Sequence, residues 1–264
     1  MDFKGKIILI SGATGGMGDE IAKKLSKERC KLILLARREE KLKKICEEIS
    51  SDKTECTYRI CDVKNKQDIE EAVNFTYEKY GKIDLAILNA GVLIPNPIET
   101  MDSSIIVKTM EINFFGNVYF LESLFRRMKS QESATIAITS TLPDKRGIAG
   151  WGAYGASKAA LSNLIESLRA EAKQKYNINL ITIKPGSVKT PMIEGYIRPG
   201  AIPPEKAAEI ILNGIKKGKK VIEFPFFQVV MTRIGDLFPV SAYDAVPVNM
   251  QKGGGYPEPK ADKK

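Results

Sequence analysis

Short apolar segments alternate with longer amphipathic segments along most of the chain, a pattern that indicates strands alternating with helices. The apolar segments, rich in β-branched residues, are 7–11, 32–36, 57–61, 85–89, 135–139, 179–183 and, more weakly, 221–224. The amphipathic segments predict helices over residues 19–27, 39–50, 68–80, 103–129, 154–176 and 204–217. Since right-handed crossovers place helices on both sides of a parallel sheet, we expect an α/β, doubly wound fold with a seven-stranded parallel sheet flanked by helices on both faces.

The chain is long enough to bury one substantial core, and we expect a single domain over residues 1–249. After the last predicted strand, apolar residues recur at helical spacing, which predicts a C-terminal helix over about residues 225–240. These residues are Phe227, Val230, Met231, Ile234, Leu237 and Phe238. We expect this apolar stripe to cover the core or a neighbouring subunit. Residues 250–264 are poor in apolar side chains, so we expect a disordered tail.

Basic residues outnumber acidic ones, 41 against 32, which favours anionic ligands. The densest basic cluster consists of Lys216, Lys217, Lys219 and Lys220 and is interpreted as a solvated helix end. The interleaved aromatic and basic residues of nucleic-acid-binding modules are missing, so no nucleic-acid partner is expected. An alternative hypothesis is peripheral contact of this cluster and the C-terminal stripe with an anionic membrane. No segment has the roughly eighteen apolar residues that span a bilayer, and a cytoplasmic location is expected.

The four cysteines, Cys30, Cys46, Cys56 and Cys61, form no C-x-x-C pair, and the chain contains no histidine. Neither a disulfide framework nor a metal site is therefore predicted. We expect reduced, mostly buried thiols.

Without histidine, acid–base chemistry near neutral pH needs another titrating group. Tyr154 and Lys158 lie four residues apart in one predicted helix, so their side chains share a face. A tyrosine ordinarily has a pKa of about 10. An ammonium about 4 Å away stabilises the phenolate by about 4 kcal/mol at an effective dielectric constant near 20, which brings the pKa of the phenol close to 7. The pair is predicted to be reactive only in a pocket that excludes most water.

A glycine-rich segment, Ser11-Gly12-Ala13-Thr14-Gly15-Gly16-Met17-Gly18, lies between the first predicted strand and the first predicted helix. Glycines let the backbone turn tightly and approach a pyrophosphate, whose charge is stabilised by the N–H groups of a helix N-terminus. A tight turn alone also favours glycine. The strand–loop–helix setting nevertheless favours dinucleotide binding.

The end of the second predicted strand distinguishes between the nicotinamide dinucleotides, because an acidic residue there binds the ribose hydroxyls of NAD and disfavours a 2′-phosphate. The chain instead has Arg37 and Arg38. Arg37 offers a forked donor that suits phosphate, so NADP(H) is predicted in preference to NAD(H). Arg38 is also consistent with the start of a charged helix. Asp62, after the third strand, is a candidate to accept from the adenine amine or to cap a helix.

Further polar motifs follow the later strands, whose carboxyl ends line the ligand crevice of a doubly wound sheet. They are Asn89-Ala90-Gly91, Asn113, Ser140, Tyr154-Gly155-Ala156-Ser157-Lys158 and Pro185-Gly186-Ser187-Val188-Lys189-Thr190. With the glycine-rich segment, and in this order, they closely resemble the motifs of the short-chain dehydrogenase/reductase (SDR) family, whose members have a Rossmann fold and commonly form homodimers or homotetramers. The resemblance covers roughly residues 5–225.

The resemblance implies an NADP(H)-dependent oxidoreductase that acts on a carbonyl or secondary alcohol. Tyr154 would be the general acid in reduction and the general base in oxidation. Lys158 would lower the pKa of the phenol and hold the nicotinamide ribose. Ser140 would donate a hydrogen bond to the substrate oxygen, and Asn113 would anchor a proton-relaying water. The implied cofactor-binding residues are Gly12, Thr14, Gly16, Met17, Gly18, Arg37, Asp62, Asn89, Tyr154, Lys158, Pro185, Val188 and Thr190.

Three positions depart from the family pattern. Ser11 stands where threonine is usual, and Leu88 stands where a second asparagine is common. Ser140 lies fourteen residues before Tyr154, one more than usual, and Thr141 lies at the usual distance. Either the following loop contains a one-residue insertion, or Thr141 supplies the hydroxyl. The strand register favours Ser140.

In this family the segment at about residues 190–206 would form a lid over the substrate. Met192, Ile193, Tyr196 and Ile197 are available to line the pocket, which favours an apolar or lipid-like substrate. One alternative is a non-catalytic dinucleotide-binding sensor, which would not need the activated phenol. Another is an epimerase or dehydratase of the same superfamily, whose glycine motif is spaced differently.

Overall fold

A computed structural model, which describes residues 1–193 and 199–246, contains a seven-stranded parallel sheet. Its strands are β1 Ile7–Ser11, β2 Lys31–Ala36, β3 Glu55–Ile60, β4 Leu85–Leu88, β5 Ala134–Thr139, β6 Ile178–Pro185 and β7 Val221–Phe224. Their order across the sheet is β3-β2-β1-β4-β5-β6-β7. The chain direction across the sheet reverses between β1 and β4, which creates the crevice where doubly wound sheets bind ligands. The predicted fold class is confirmed.

Helices connect the strands and cover both faces of the sheet. They are α1 Gly16–Leu25, α2 Glu39–Ile49, α3 Lys66–Tyr80, α4 Ser103–Met110, α5 Gly116–Met128, α6 Gly152–Tyr176, α7 Pro204–Lys216, α8 Phe226–Asp236 and α9 Val240–Asp244. Short 3₁₀ helices lie at Ser26–Glu28, Ile98–Thr100 and Pro191–Ile193, and a π-helical turn, Glu111–Phe115, joins α4 to α5.

The core forms two layers because successive residues of a strand face opposite sides of the sheet. In β1, Ile8 and Ile10 pack into the layer beneath α1, α2 and α7, whereas Leu9 packs into the layer beneath α3, α5 and α6. All three side chains are fully buried. A strand that is apolar on both faces is typical of a parallel sheet covered by helices on both sides.

The predicted helix limits agree with the structure to within four residues, except that one predicted helix is divided. Helix α1 begins at Gly16, not at residue 19, so the last glycines of the loop form its first turn. The segment predicted as one helix over residues 103–129 is interrupted by the π-helical turn. Such turns insert one residue into a helix and recur at functional sites, and this one contains Asn113.

One pair of cysteines differs from the expectation. Cys46 of α2 and Cys56 of β3 form a disulfide with their Cα atoms 5.2 Å apart, so the prediction of four reduced thiols is wrong for this pair. The physical reason is the packing of α2 against β3, which brings together residues ten positions apart. Cys30 and Cys61 are free, and burial raises the pKa of each thiol to about 12.

The C-terminal apolar stripe lies on α8 and the residues just after it, and no residue of α8 is buried. Within the stripe, Leu237 is 83% exposed and Phe227 is 59% exposed, so the described part of the chain leaves much of this face uncovered. Along the chain, the basic cluster lies before β7 and α8 begins after it; the alternative hypothesis assigns both features to one membrane surface. That contact stays a prediction. No helix within the described ranges could cross a bilayer. The expected disordered tail lies outside the described residues.

Candidate active site

The larger of two cavities at the carboxyl edge of the sheet lies at the β1–β4 crevice. We call this cavity, of about 430 Å³, the switch-point groove. It is lined by residues that follow the first four strands and by the start of the lid segment. Among them are Gly12, Thr14, Gly15, Gly16, Met17, Arg37, Arg38, Lys41, Asp62, Asn89, Ala90, Gly91, Val92, Thr190 and Met192. Eight of the residues predicted to bind a cofactor lie in this wall: Gly12, Thr14, Gly16, Met17, Arg37, Asp62, Asn89 and Thr190.

The glycine loop leaves β1 in a conformation that side chains would obstruct. Gly12 has a φ of 66°, and a Cβ there would lie 2.8 Å from the backbone of Ala90. At Gly16 a Cβ would lie 2.6 Å from Thr190. Helix α1 starts at the groove, and its N-cap residue, Gly15, has no side chain to accept a hydrogen bond. The backbone N–H groups in the first turn of α1 therefore have no side-chain acceptor at that cap. This loop and helix start fit a pyrophosphate.

Gly18 differs from the other glycines because it does not line the groove. A Cβ at Gly18 would lie 2.3 Å from the carbonyl oxygen of Gly12, so this glycine allows close packing of the loop on its own helix. Its predicted contact with a cofactor stays a prediction.

Ser11 ties the glycine loop to the segment after β4. Its hydroxyl accepts hydrogen bonds from the backbone N–H groups of Asn89 and Ala90, at 3.2 Å and 3.4 Å. The side-chain oxygen of Asn89 in turn accepts from the hydroxyl of Thr139 at 3.3 Å. Serine thus supplies the acceptor that threonine would supply at this position. Asn89 is held in the groove wall by strands on both sides of the crevice.

Three cations gather where β2 meets α2. Arg37, Arg38 and Lys41 all line the groove, and Arg38 donates hydrogen bonds to the carbonyl and hydroxyl oxygens of Thr14, at 2.7 Å and 3.0 Å. Arg38 therefore clamps the glycine loop. The interpretation of Arg38 as only the start of a charged helix does not account for these hydrogen bonds. Lys41, in the first turn of α2, was not predicted; its signal was a basic residue one turn beyond the strand end.

Asp62 lies in the groove wall but does not cap α3, because the side chain of Asn65 takes that position. Its carboxylate accepts from the backbone N–H of Lys64 at 3.1 Å, which makes a local turn. The helix-capping interpretation of Asp62 is therefore not what the structure has. The residue stays available at the rim of the groove.

The π-helical turn places Asn113 fully buried beneath the groove. Its side-chain amide is paired with both backbone groups of Val92, accepting at 2.8 Å and donating at 2.9 Å. It also donates to the hydroxyl of Ser157 at 3.1 Å, and that hydroxyl donates to the carbonyl oxygen of Tyr154 at 2.7 Å. Asn113 thus fixes the groove wall relative to the start of α6.

Lys158 is buried, and its ammonium donates to the carbonyl oxygen of Thr139 at 2.7 Å. A Cβ built on Gly91, which lines the groove, would lie 3.5 Å from this ammonium, so the charge sits directly behind the groove wall. Desolvation lowers the pKa of Lys158 to about 8. The ammonium lies 6.0 Å from the centre of the Tyr154 ring.

Tyr154 is partly buried at the other, smaller cavity. Desolvation raises the pKa of its phenol, and a hydrogen bond with Thr141 opposes that shift. The predicted lowering of this pKa toward 7 by Lys158 is not found, because the ammonium is directed at a backbone carbonyl and burial dominates.

Ser140 and Thr141 face different surroundings. The hydroxyl of Ser140 lies 3.1 Å from the carbonyl oxygen of Lys158 and 2.6 Å from the hydroxyl of Ser162, within the packing of β5 against α6. Thr141 and Tyr154 both line the smaller cavity, and the Thr141 hydroxyl acts to lower the pKa of the phenol. The structure therefore places Thr141, and not Ser140, beside the phenol. The family spacing was the signal for Thr141.

The smaller cavity, which we call the Tyr154 pocket, has a volume of about 300 Å³. Its wall is mostly apolar and includes Leu93, Leu142, Ile148, Trp151, Ile193, Phe227 and Met231. Gln228 was not predicted, yet its side chain accepts from the backbone N–H of Ser187 at 2.7 Å and donates to the carbonyl oxygen of Pro199 at 2.9 Å. It therefore ties α8 to both sides of the lid segment.

The lid segment contributes to both cavities. Met192 and Thr190 line the switch-point groove, and Ile193 lines the Tyr154 pocket. Pro185 ends β6, and Val188 pairs with Ile202 in a short parallel bridge, so both shape the segment without lining the groove. The predicted pocket residues Tyr196 and Ile197 lie outside the described residues.

Comparison with known proteins gives a family and a fold. A family model described as short chain dehydrogenase matches residues 6–198. An uncharacterized oxidoreductase from Listeria monocytogenes is 33% identical over 195 residues, which cover 74% of this chain and 79% of that protein.

Solved structures share the fold over most of the chain. A short-chain dehydrogenase/reductase from Burkholderia phymatum in complex with NAD matches with a TM-score of 0.83 at 20% identity, covering 98% of this chain and 99% of the other. An alcohol dehydrogenase from Thermococcus sibiricus complexed with 5-hydroxy-NADP matches with a TM-score of 0.74 at 25% identity, covering 84% and 95%. One of these proteins is thus bound to NAD and the other to an NADP derivative.

Proposed function

Because the chain belongs to the short-chain dehydrogenase/reductase family, whose fold binds nicotinamide dinucleotides, we propose that it is an NADP(H)-dependent oxidoreductase acting on a carbonyl or secondary alcohol. The observation that carries the proposal is the position of Tyr154. Its phenol faces a mostly apolar pocket beside the Thr141 hydroxyl, and buried Lys158 of the same helix lies behind the wall of the switch-point groove.

The residues of the groove fit such a cofactor. Gly12 and Gly16 leave room for a pyrophosphate at the uncapped start of α1, and Asn89 and Thr190, which line the groove, would border the nicotinamide half. When bound, the nicotinamide supplies the hydride chemistry. The chain itself supplies position, exclusion of water and control of the proton.

The preference for NADP(H) rests on the charges at the end of β2. Arg37, Arg38 and Lys41 line that end of the groove, whereas no acidic residue ends the strand to bind ribose hydroxyls. A forked guanidinium binds a phosphate through two parallel hydrogen bonds, so a 2′-phosphate is favoured there.

In the proposed reduction, Tyr154 donates its proton to the substrate oxygen. Desolvation raises the pKa of the phenol, so it keeps its proton at neutral pH until negative charge develops on that oxygen. Thr141 donates a hydrogen bond to the same oxygen. Lys158 places a positive charge directly behind the groove wall, where it would hold the nicotinamide ribose, as membership of the family implies.

The wall of the Tyr154 pocket supports an apolar substrate. Leu93, Trp151 and Met231 contribute apolar surface, and burial of such surface stabilises an apolar ligand by about 25 cal/mol per Å² before other costs.

We also propose that the protein is a homodimer or homotetramer that takes a small-molecule substrate and no nucleic acid. Sedimentation velocity measures its mass directly.

The test of the proposed activity is Tyr154→Phe, which removes only the phenol hydroxyl. We expect NADPH binding, measured by fluorescence titration, to stay within about twofold, while kcat/KM for carbonyl reduction falls by about 10²- to 10⁴-fold. Tyr58→Phe, in an edge strand outside both cavities, is the matched control and should keep full activity. Unchanged turnover in Tyr154→Phe would remove Tyr154 from the acid role. NADPH binding without turnover of any carbonyl by the wild type would favour the sensor alternative.

A further inference from the structure

Arg146 places a positive charge in the apolar wall of the Tyr154 pocket. Of the described residues that line this pocket, it is the one with a charged side chain. It is partly buried, in the loop between β5 and α6. A charge withdrawn from water at such a site is costly unless it gains a partner.

Two acidic residues close to Arg146 are already paired with other cations: Asp144, in the same loop, and Asp236, whose carbonyl oxygen Arg146 contacts. Asp144 forms an ion pair with Lys184 at 2.6 Å, and both side chains are largely buried. Asp236 pairs with Arg233 at 3.6 Å. Within the described ranges, no carboxylate lies within ion-pairing distance of the Arg146 guanidinium.

The guanidinium is nevertheless held in place. One terminal nitrogen donates to the carbonyl oxygens of Asp236, the last residue of α8, at 3.3 Å, and of Phe238, two residues beyond it. The group also lies 5.3 Å from the centre of the Tyr243 ring, and the Tyr243 hydroxyl donates to Gly147 at 2.8 Å. A guanidinium has five N–H donors, and these contacts use a single nitrogen. Its other nitrogens make no hydrogen bond to the described residues, so they are available to a ligand.

We propose that Arg146 binds an acidic group of the substrate. This inference rests on the proposed function, and it narrows the substrate class to a carbonyl compound with an apolar body and a carboxylate remote from the reacting carbon, such as a medium-chain oxo acid. The Tyr154 phenol and Thr141 hydroxyl contact the carbonyl end, the apolar wall contacts the body, and the Arg146 fork contacts the carboxylate. Hydrogen bonds to charged groups of this kind change affinity by about 10- to 100-fold.

The test compares each acid with its uncharged methyl ester. The kinetic substrates are oxo acids of about four to ten carbons. The binding probe, titrated calorimetrically into the full-length protein with NADPH, is a saturated fatty acid of matched length and its primary amide. We expect the wild type to prefer acid over ester in kcat/KM, and acid over amide in Kd, by about 10- to 100-fold. Arg146→Gln, which keeps a donor for the α8 carbonyls, should lose both preferences while turnover of the ester is kept.

Two controls separate recognition from structural support. Lys145→Gln removes the same charge from an exposed neighbour outside the pocket and should keep both preferences. Tyr243→Phe removes the bond to Gly147 and should affect acid and ester equally. Equal handling of acid and neutral compounds by the wild type, or an equal loss of both in Arg146→Gln, would overturn the acidic-substrate inference and leave the proposed reductase intact. Acid-selective binding without turnover of any carbonyl would overturn the reductase and leave the acid site intact.

Discussion

The two hydroxyls at the end of β5 show how one position along an extended chain changes a role. Ser140 and Thr141 directly follow β5, and their side chains have different surroundings. Ser140 faces α6 and bonds to the Lys158 carbonyl and to Ser162. Thr141 faces the Tyr154 pocket. The first hydroxyl supports the helix that carries Tyr154 and Lys158, and the second shares the Tyr154 pocket with the phenol.

This difference predicts opposite outcomes for two substitutions. Thr141→Val, which keeps the shape without the hydroxyl, should lower kcat/KM by about 10²- to 10³-fold, because it removes a donor to the developing oxyanion. Ser140→Ala should change kcat by less than about fivefold and lower the free energy of unfolding by about 1 kcal/mol. Thr141→Ser is the conservative control and should keep most activity. The reverse ranking in steady-state kinetics would return the catalytic hydroxyl to Ser140.

At the scale of elements, the corner between β2 and α2 concentrates charge where the adenosine end of a dinucleotide is expected. Arg38 spans from this corner to the glycine loop after β1, so its clamp couples two neighbouring β–α turns. Arg37 lines the same part of the groove without a hydrogen bond to the described residues. Of the two arginines, Arg37 is therefore the freer donor for a phosphate.

We predict that Arg37→Asp changes the choice of cofactor. The substitution removes a charge-assisted contact and introduces a carboxylate that repels the 2′-phosphate. The Kd for NADPH should therefore rise by about 10- to 100-fold, while the Kd for NADH changes by less than about threefold. Lys43→Asp makes the same charge change on an exposed position of α2 outside the groove and serves as control. Fluorescence titration with each dinucleotide measures the two Kd values, and hence the ratio of NADPH affinity to NADH affinity. Equal losses for NADPH and NADH would refute the assignment to NADP(H).

At the scale of the whole molecule, the buried charge of Lys158 is expected to lower the free energy of unfolding. Lys158 is 3% exposed, and its described polar contact is a backbone carbonyl instead of a carboxylate. Burial lowers its pKa from 10.5 to about 8. Below about pH 8 the folded protein therefore carries a buried charge that the unfolded chain hydrates. Between about pH 8 and pH 10.5, Lys158 loses its proton in the folded protein and keeps it in the unfolded chain. The destabilisation caused by the buried charge therefore decreases, and the free energy of unfolding rises, as the pH increases through this window.

Lys158→Met should accordingly abolish activity yet stabilise the fold at neutral pH. The difference between the two pKa values corresponds to about 3 kcal/mol, and we expect a gain of about 1 to 3 kcal/mol at pH 7 in the free energy of unfolding. The gain should shrink as the pH rises above 8. Urea denaturation at several pH values measures it, with the exposed Lys129→Met as control. If Lys158→Met were less stable than the wild type at pH 7, burial of the Lys158 ammonium would not be destabilising, and the prediction would be wrong.

Local patterns in the sequence determined the strands, the order of β–α units, the glycine loop and the Tyr154–Lys158 spacing. Each depends on residues within a few positions of one another: side-chain alternation, helical periodicity and tight turns act along the chain. Those patterns also imply a doubly wound sheet, and the carboxyl edge of such a sheet is where a ligand is expected to bind. The predicted limits of β1 and β7 agree with the structure to the residue.

Only the tertiary structure decided which side chains meet across the chain. The direction of Thr141, the Cys46–Cys56 disulfide, the Arg38 clamp and the Gln228 bridge each depend on elements brought together by packing. The same is true of Arg146, whose partners lie about ninety residues away in sequence. Such contacts depend on angles and distances between packed elements, and local periodicity carries no information about them, because many packings satisfy the same pattern of buried and exposed positions.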